Sequence, residues 1–389
     1  MKIAAITAEF NPLHNGHLRL LRAVKEELSP DLLLVLLGGD VTQRGELALF
    51  DKYTRAKHAV NAGADLVLEL PQIFAASCAE RFADAAVKTL SFVDAEEKYI
   101  CFGSECGDLT AIRNAAKILN DEPEELSEEL RSLLEMGCSY PAARAQAFLH
   151  YAEARKLSVA DPTLPNNILA IEYLRAALKR GGVLPYTLKR NGAYQASSVD
   201  PQAPSASALR RAFFEGAPTD AYRAALPEYV EKDLALASKV DHFSPLLLYR
   251  LSTITPEGFK RINDVSEGIE NRILRLAKES KNVASLVKAV STKRYTEARV
   301  SRILVSALLG VTKLAFESEI DAPPYYKVLA VKKEKTDILS LLSRAGQVIT
   351  GETEAKESGR FSAMIDAKAH EIYSIAKEAP DLESGMLVL

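Results

Sequence analysis

Four short apolar runs near the N-terminus, residues 2–8, 32–37, 65–70 and 99–102, limit the fold more than any other feature. Each is nearly continuous in apolar residues and is bounded by polar residues or glycine, as strands buried on both faces of a sheet are. Between them, residues 16–27, 51–62 and 79–90 place apolar side chains at helical spacing; Leu18, Leu21, Val24 and Leu28 do so in the first. Strand, helix, strand in repetition predicts an α/β fold with a doubly wound parallel sheet. Residues 111–119, 123–135, 140–155 and 167–179 then read as helices and 184–189 as a further strand. A polar, Ser- and Pro-rich loop follows over 197–207, and a helix restarts at 208–215. Beyond Pro227 the pattern is mainly helical, with one strand candidate at 325–331. The expected division is a sheet domain over 1–225 and a mainly helical C-terminal domain over 226–389.

The 389 residues exceed the usual size of one domain, about 150 residues, and 48% hydrophobic with 26% charged side chains excludes extensive disorder. The longest apolar stretch is far shorter than the roughly 18 to 20 residues of a bilayer crossing. Glu9, Asn11, His14 and Asn15 interrupt any secretory core at the N-terminus. A cytoplasmic protein is expected. Cys78, Cys101, Cys106 and Cys138 form no CxxC pair and read as reduced and structural.

The overall balance, 49 basic against 52 acidic residues, argues against a polyanionic partner only as an average. Between Arg272 and Arg302 stand nine basic side chains (Arg272, Arg275, Lys278, Lys281, Lys288, Lys293, Arg294, Arg299, Arg302) and two acids (Glu279, Glu297), a net +7. Arg272, Arg275, Lys278 and Lys281 share one face at three-residue spacing. Lys293 and Arg294 stand beside Tyr295, a combination suited to phosphate contact and base stacking. A solvated helix face paired with the acids of residues 121–129 is the alternative.

The chemistry concentrates in Thr7-Ala8-Glu9-Phe10-Asn11-Pro12-Leu13-His14-Asn15-Gly16-His17, which ends the first strand and opens the first helix. A helix N-terminus supplies unpaired N–H groups and partial positive charge to a phosphate, and Gly16 allows close approach. His14 and His17, three apart, can face one anion and stabilise the charge that develops during in-line attack at an α-phosphate. Adenylyl transfer fits this arrangement. Zinc fits poorly, since no third ligand stands nearby.

His14-Asn15-Gly16-His17 resembles the HxGH signature of the nucleotidylyltransferase superfamily, and Ser205-Ala206-Ser207-Ala208-Leu209-Arg210 resembles its later phosphate-holding motif; the same serines would also suit a helix N-cap. More of the chain is similar to the tRNA(Met) cytidine acetate ligase family: Gly38 to Glu46, Asp51 to Arg55, Gly63 to Pro71, Cys101 to Glu105, Pro165 to Leu169 and Ser291 to Thr296. Asp40 departs from that pattern, which has Asn there, and the final forty residues show no match.

The resemblance implies a Rossmann-like catalytic domain. It would condense ATP and acetate to acetyl-adenylate and pass the acetyl group to the wobble cytidine of elongator tRNA(Met), giving N4-acetylcytidine. It also implies an ATP loop from Thr7 to His17 continuing through Leu18, Arg19 and Leu20. Gly103, Asn166 or Asn167, and Arg190 would complete that site, with Ser205, Ser207 and Arg210 on the phosphates. Gly103 also suits a turn, the asparagines a helix cap, and Arg190 a solvated strand end. Gln43 and Arg44 would line the acetate or phosphate pocket. Mg2+ is expected with the phosphates, Asp40 and Glu105 being the candidate ligands. The basic window, with Arg272, Arg275, Lys278, Lys281, Lys293, Arg294, Tyr295, Arg299 and Arg302, would face tRNA. A nucleotidylyltransferase acting on a small cofactor precursor and a non-catalytic RNA-binding protein are the competing readings.

Overall fold

The computed structural model describes residues 1–138, 140–190, 199–216, 219–237, 243–379 and 382–389, and the backbone alone at Pro141. Residues 197 and 198 of the expected loop lie outside these. The chain opens β1 (Lys2–Ala8), α1 (Asn15–Leu28), β2 (Leu32–Gly38), α2 (Lys52–Asn61), β3 (Leu66–Leu70), α3 (Gln72–Ala75), α4 (Ala79–Ser91) and β4 (Glu97–Ser104). Four helices follow, α5 (Leu109–Asp121), α6 (Glu124–Glu135), α7 (Tyr140–Ala154) and α8 (Pro165–Arg180), then β5 (Leu184–Lys189) and α9 (Ala206–Phe214).

β2, Leu-Leu-Leu-Val-Leu-Leu-Gly, is buried along its whole length because it sits mid-sheet with helices on both faces. The alternation of the strands sorts the core into two layers. Ile3, Ala5, Leu34 and Leu36 face α3, α4 and α8, whereas Ala4, Ile6, Leu33, Val35 and Leu37 face α1, α2 and α9. The strand order is β5-β4-β1-β2-β3, all parallel. Chain direction across the sheet reverses at β1, so the crevice beyond the carboxyl ends of β1 and β4 is the topological switch point.

The mainly helical part begins with α10 (Asp220–Ala224), α11 (Glu228–Lys232), α12 (Phe243–Thr253), α13 (Pro256–Lys260), α14 (Ile269–Ala277), α15 (Val283–Val290), α16 (Glu297–Leu309) and α17 (Lys313–Asp321). The chain then returns to the sheet. β6 (Tyr325–Val331) adds antiparallel to β3, and is followed by α18 (Ile338–Ala345), β7 (Gln347–Ile349), α19 (Glu352–Glu357), α20 (Phe361–Lys377) and β8 (Leu387–Val388). The sheet is therefore mixed, and its last strands come from the far end of the chain.

That return is fixed by buried charge. Lys52 on α2 and Lys327 on β6 both bond Glu69 on β3 and Glu352 on α19, at 2.6–3.1 Å. The two lysines together hold the Glu352 carboxyl down to about 2 against the effect of burial. On α20, Asp366 accepts from the Gln72 backbone at 2.7 Å and from the Tyr325 hydroxyl.

Candidate active site

At the switch point, β1 delivers its last residues into a cavity of about 220 Å³ lined by Thr7, Glu9, Asn11, His14, His17, Gln43, Arg44, Gly103, Asn166, Arg190, Ser205, Ser207 and Arg210, among others. A second cavity of about 360 Å³ shares His14, His17, Gly103 and Arg190 with it and adds Asn15, Gly16 and Arg19.

The first helix sets the state of its histidines. His14 is the N-cap of α1, and its Nδ1 accepts from the Gly16 N–H at 3.1 Å. His17 reaches back, its Nδ1 accepting from the His14 N–H at 3.2 Å. This is a capping box made with imidazoles. An accepting Nδ1 leaves the proton on Nε2, so each ring presents an Nε2–H donor. The rings stack at 3.7 Å and 21°. Burial, then the Arg190 charge, lowers His14 to about 3, and His17 is held well below its ordinary value by burial, His14 and Arg190. Both are neutral donors at pH 7. Gly16 belongs here for a steric reason: a Cβ would stand 2.9 Å from His14 Cε1.

Arg55, fully buried, anchors the floor by donating to the carbonyls of Glu9, Gly38, Gly39 and Phe50 at 2.7–2.9 Å. Glu9 Oε1 in turn accepts from the Gln43 N–H at 2.7 Å, tying the loop after β2 to the end of β1. Arg210 donates to the Asn11 carbonyl at 2.7 Å, bringing α9 over the same loop. Ser205 and Ser207 bond each other through their hydroxyls at 2.8 Å; Ser205 occupies the N-cap position of α9 but makes no side-chain cap bond.

Several expected site residues have other work. Pro12 and Leu13 are buried below the loop, and neither they nor Leu18 lines the cavity. Asn166 borders it, but Asn167 is turned away: its Oδ1 accepts from the backbone of Glu105 and Cys106 at 3.1 Å. Gly103 leaves room for an arginine, since a Cβ there would lie 2.9 Å from Arg190 Cγ.

The two candidate metal ligands are spoken for. Glu105 accepts from Asn166 and Asn167 at the start of α8. Asp40 is buried, accepting from the Lys52 N–H and pairing with His370 Nδ1, both at 2.7 Å. Among the described residues no three His, Cys, Asp or Glu side chains are grouped to hold a metal.

In the basic window, Arg272, Arg275, Lys278, Lys281, Lys288, Lys293 and Arg294 are exposed. Arg272 also donates to the last carbonyls of α15, and Arg294 pairs with Glu267. Tyr295 is not a stacking platform: it is buried, its hydroxyl donating to the Ser266 carbonyl at 2.8 Å, with the Arg299 guanidinium 4.7 Å from its ring centre. Arg299 pairs with Asp264 at 2.9 Å, and Arg302 is partly buried. Of the acids of residues 121–129, Glu129 pairs instead with His150 of α7 and Glu125 with Arg155 just beyond it. The basic block touches the cavity's rim, because a Cβ on Gly45 would meet Ser301 of α16 at 2.7 Å. Gly45 follows Thr42, Gln43 and Arg44, all of which line the cavity.

Sequence reasoning missed Ile6, Phe82, Phe102, Leu169 and Tyr173, which also line it. One signal was readable: Asn166, Leu169 and Tyr173 stand at i, i+3 and i+7 on one face of a helix.

Residues 1–385 match the family model described as HIGH Nucleotidyl Transferase. The tRNA(Met) cytidine acetate ligase of Thermoanaerobacter sp. (strain X514) is 36% identical over 392 residues, covering 97% of this chain and 96% of that protein. The ligase of the same name from Clostridium perfringens is 32% identical over 399 residues, covering 100% and 98%. Crystal structures of Thermotoga maritima TmcAL cover both chains completely, with TM-score 0.89 and 26% identity for the apo form I and 0.87 and 27% for form II bound with alpha-thio ATP. By sequence along nearly its whole length and by fold, this chain belongs to the tRNA(Met) cytidine acetate ligase family of HIGH nucleotidyl transferases.

Proposed function

We propose that this chain is an ATP-dependent ligase that activates acetate as acetyl-adenylate and transfers the acetyl group to the wobble cytidine of elongator tRNA(Met). The observation that carries this reading is the cavity at the switch point that gathers two neutral imidazole donors, three arginines and a helix N-terminus around space for a triphosphate. The solved relative bound with alpha-thio ATP supports ATP as the nucleotide.

In the first step an acetate oxygen attacks the α-phosphorus and the bond to the β-phosphate oxygen breaks, giving acetyl-adenylate and pyrophosphate. No proton moves, so no base is needed; what helps is hydrogen-bond donation to oxygens that gain charge. The Nε2–H groups of His14 and His17 supply that donation without a change of protonation state. Arg190 and Arg210 complement the triphosphate. Magnesium would enter with the phosphates, as that ion commonly does. In the second step the cytidine N4 amine attacks the acetyl carbon, AMP leaves and the amine loses a proton.

The tRNA reaches this cleft over the exposed part of the basic block, Arg272, Arg275, Lys278, Lys281, Lys293 and Arg294, whose scaffold abuts the cavity rim at Gly45. A wobble base is already single-stranded, which lowers the cost of bringing it to the adenylate. The sheet with its helices forms the catalytic part and the block from α12 to α16 the RNA-facing part. No helix among the described residues is long and apolar enough to cross a membrane, which accords with a cytoplasmic enzyme.

Purified protein incubated with ATP, labelled acetate and total tRNA tests the reading. Label should enter tRNA(Met) at one cytidine; label in no RNA refutes it.

A further inference from the structure

We propose that Thr7 and Tyr173 receive the carboxylate of the acid being activated, and that Phe82, Phe102 and Leu169 form the wall that limits its alkyl chain. The inference rests on the acid-activating function proposed above and assigns the part of the cavity that the phosphate-binding groups leave unused.

Thr7 Oγ1 and Tyr173 OH both belong to residues lining the cavity, and both atoms are buried with no hydrogen-bond partner. Tyr173 is 1% exposed. Its phenol faces the Thr7 hydroxyl, but the two do not meet hydrogen-bond geometry. A buried hydroxyl without a partner costs free energy, so a pair of them on a cavity wall marks a place for an acceptor that arrives from outside. A carboxylate is acceptor-only and takes two O–H donors at once. Burial raises the Tyr173 hydroxyl, so it remains a donor at neutral pH. Asn11 Nδ2, also buried, unpartnered and on the cavity lining, adds a further donor nearby.

The surroundings separate this corner from the phosphate side. His14, His17, Arg190, Ser205, Ser207 and Arg210 come from α1, α9 and the end of β5, whereas Tyr173 and Leu169 come from α8, Phe82 from α4 and Phe102 from β4. Those four are aromatic or aliphatic, and the Tyr173 ring is held by stacking on Phe102 at 5.2 Å and 23°. Aromatic walls suit a methyl group and offer a triphosphate nothing. Thr7 is the penultimate residue of the strand that leads into the histidine loop, and the Phe10 ring packs edge-on against His17 at 5.0 Å. A carboxylate on Thr7 would share one cavity with the groups that would bind the α-phosphate, as the attacking group of an in-line displacement must.

Acid-dependent exchange of labelled pyrophosphate into ATP tests this. The unaltered enzyme with acetate comes first: no exchange there refutes the activating function itself and leaves the site without a substrate. With exchange established, Tyr173→Phe should raise the KM for acetate by about ten- to a hundredfold, the loss of a hydrogen bond to a charged group, while the Kd of ATP measured by calorimetry stays unchanged. Leu169→Ala and Phe82→Ala should each raise kcat/KM for propionate relative to acetate by about tenfold or more, the range for one methylene. If Phe82→Ala does not fold, as judged by its melting curve, Leu169→Ala at a partly exposed position decides. An unchanged acetate KM in Tyr173→Phe, an ATP Kd weakened in parallel, or an unchanged acid preference in Leu169→Ala overturns the assignment.

Discussion

Gly16→Ala should separate stability from catalysis. The added Cβ would lie 2.9 Å from His14 Cε1 and 3.1 Å from its Nδ1, closer than carbon and nitrogen atoms normally approach. Alanine favours a helix interior over glycine by about 1 kcal/mol, and by less in the first turn. Relieving the contact rotates the His14 ring away from the Gly16 N–H, and losing such a cap costs about 0.5–2 kcal/mol. The two effects oppose each other, so the urea midpoint should correspond to a change within about 1 kcal/mol of the parent. Catalysis has no such compensation. A donor misplaced by about 1 Å costs on the order of a hundredfold in rate, and the displaced ring stacks on His17, so both donors move. Acetate-dependent pyrophosphate exchange reads the loss and urea titration the stability. Parental exchange in a folded Gly16→Ala enzyme would show that the position of His14 over Gly16 has no part in adenylation.

His14 is lowered to about 3 in the fold against 6.5 in the unfolded chain, so the unfolded form takes up the proton first. Its contribution to stability is present above about pH 6.5 and lost as pH falls toward 3; the acid limb of kcat/KM should accordingly lie well below 6.5, and a limb at 6.5 refutes the neutral-donor assignment. Lys293→Ala combined with Arg294→Ala should weaken tRNA binding and reduce its salt slope by about 1.4 to 1.8, with adenylate formation unaffected; equal loss of both would place that segment in the catalytic cleft. Lys327→Met leaves Glu69 and Glu352 sharing one lysine, and breaking a buried pair in this way costs about 3–5 kcal/mol, read from urea unfolding. A cost under about 1 kcal/mol would show that the network does not hold the C-terminal strands to the sheet.

The doubly wound core was legible because its strands are nearly continuous apolar runs, and periodicity needs no tertiary information to report them. The cavity's polar rim was legible for a different reason: HxGH and the Ser205–Arg210 segment are local motifs whose placement follows from the strand before one and the helix after the other. The apolar wall was not, since Phe82, Phe102 and Leu169 look like any core residues until the sheet brings α4 and α8 together. Lys327 sits inside Tyr-Tyr-Lys-Val-Leu-Ala-Val and Glu69 inside Leu-Val-Leu-Glu-Leu. A charge within a buried strand announces a partner, but the partner is more than two hundred and fifty residues away along the chain, beyond any spacing rule. Tyr295 misled for a similar reason. Two flanking cations suggested an exposed ring, while the actual acceptor, the Ser266 carbonyl, stands 29 residues earlier.

The Asp40 position shows why the last forty residues belong with the N-terminal sheet although no local pattern says so. Asp40 follows Gly39 directly, and Arg55, 3.8 Å from the Asp40 carboxylate, donates to the carbonyls of Gly38, Gly39 and Glu9. His370 reaches Asp40 from α20, and Tyr373, one turn on, donates to the Leu49 carbonyl at 3.2 Å. Burial opposes charge on His370, but the Asp40 carboxylate raises its pKa on balance and is itself lowered. That pair stabilises the fold most between the ordinary aspartate and histidine values, weakening as pH rises through the raised histidine value and as it falls below the ordinary aspartate one. An asparagine at position 40 would keep the hydrogen bonds and give up the charge. With aspartate, the loop that brings Gln43 and Arg44 to the cavity is held electrostatically by a helix from the far end of the chain. The floor of the cavity and the closing of the sheet by β6 and α20 are therefore parts of one buried structure.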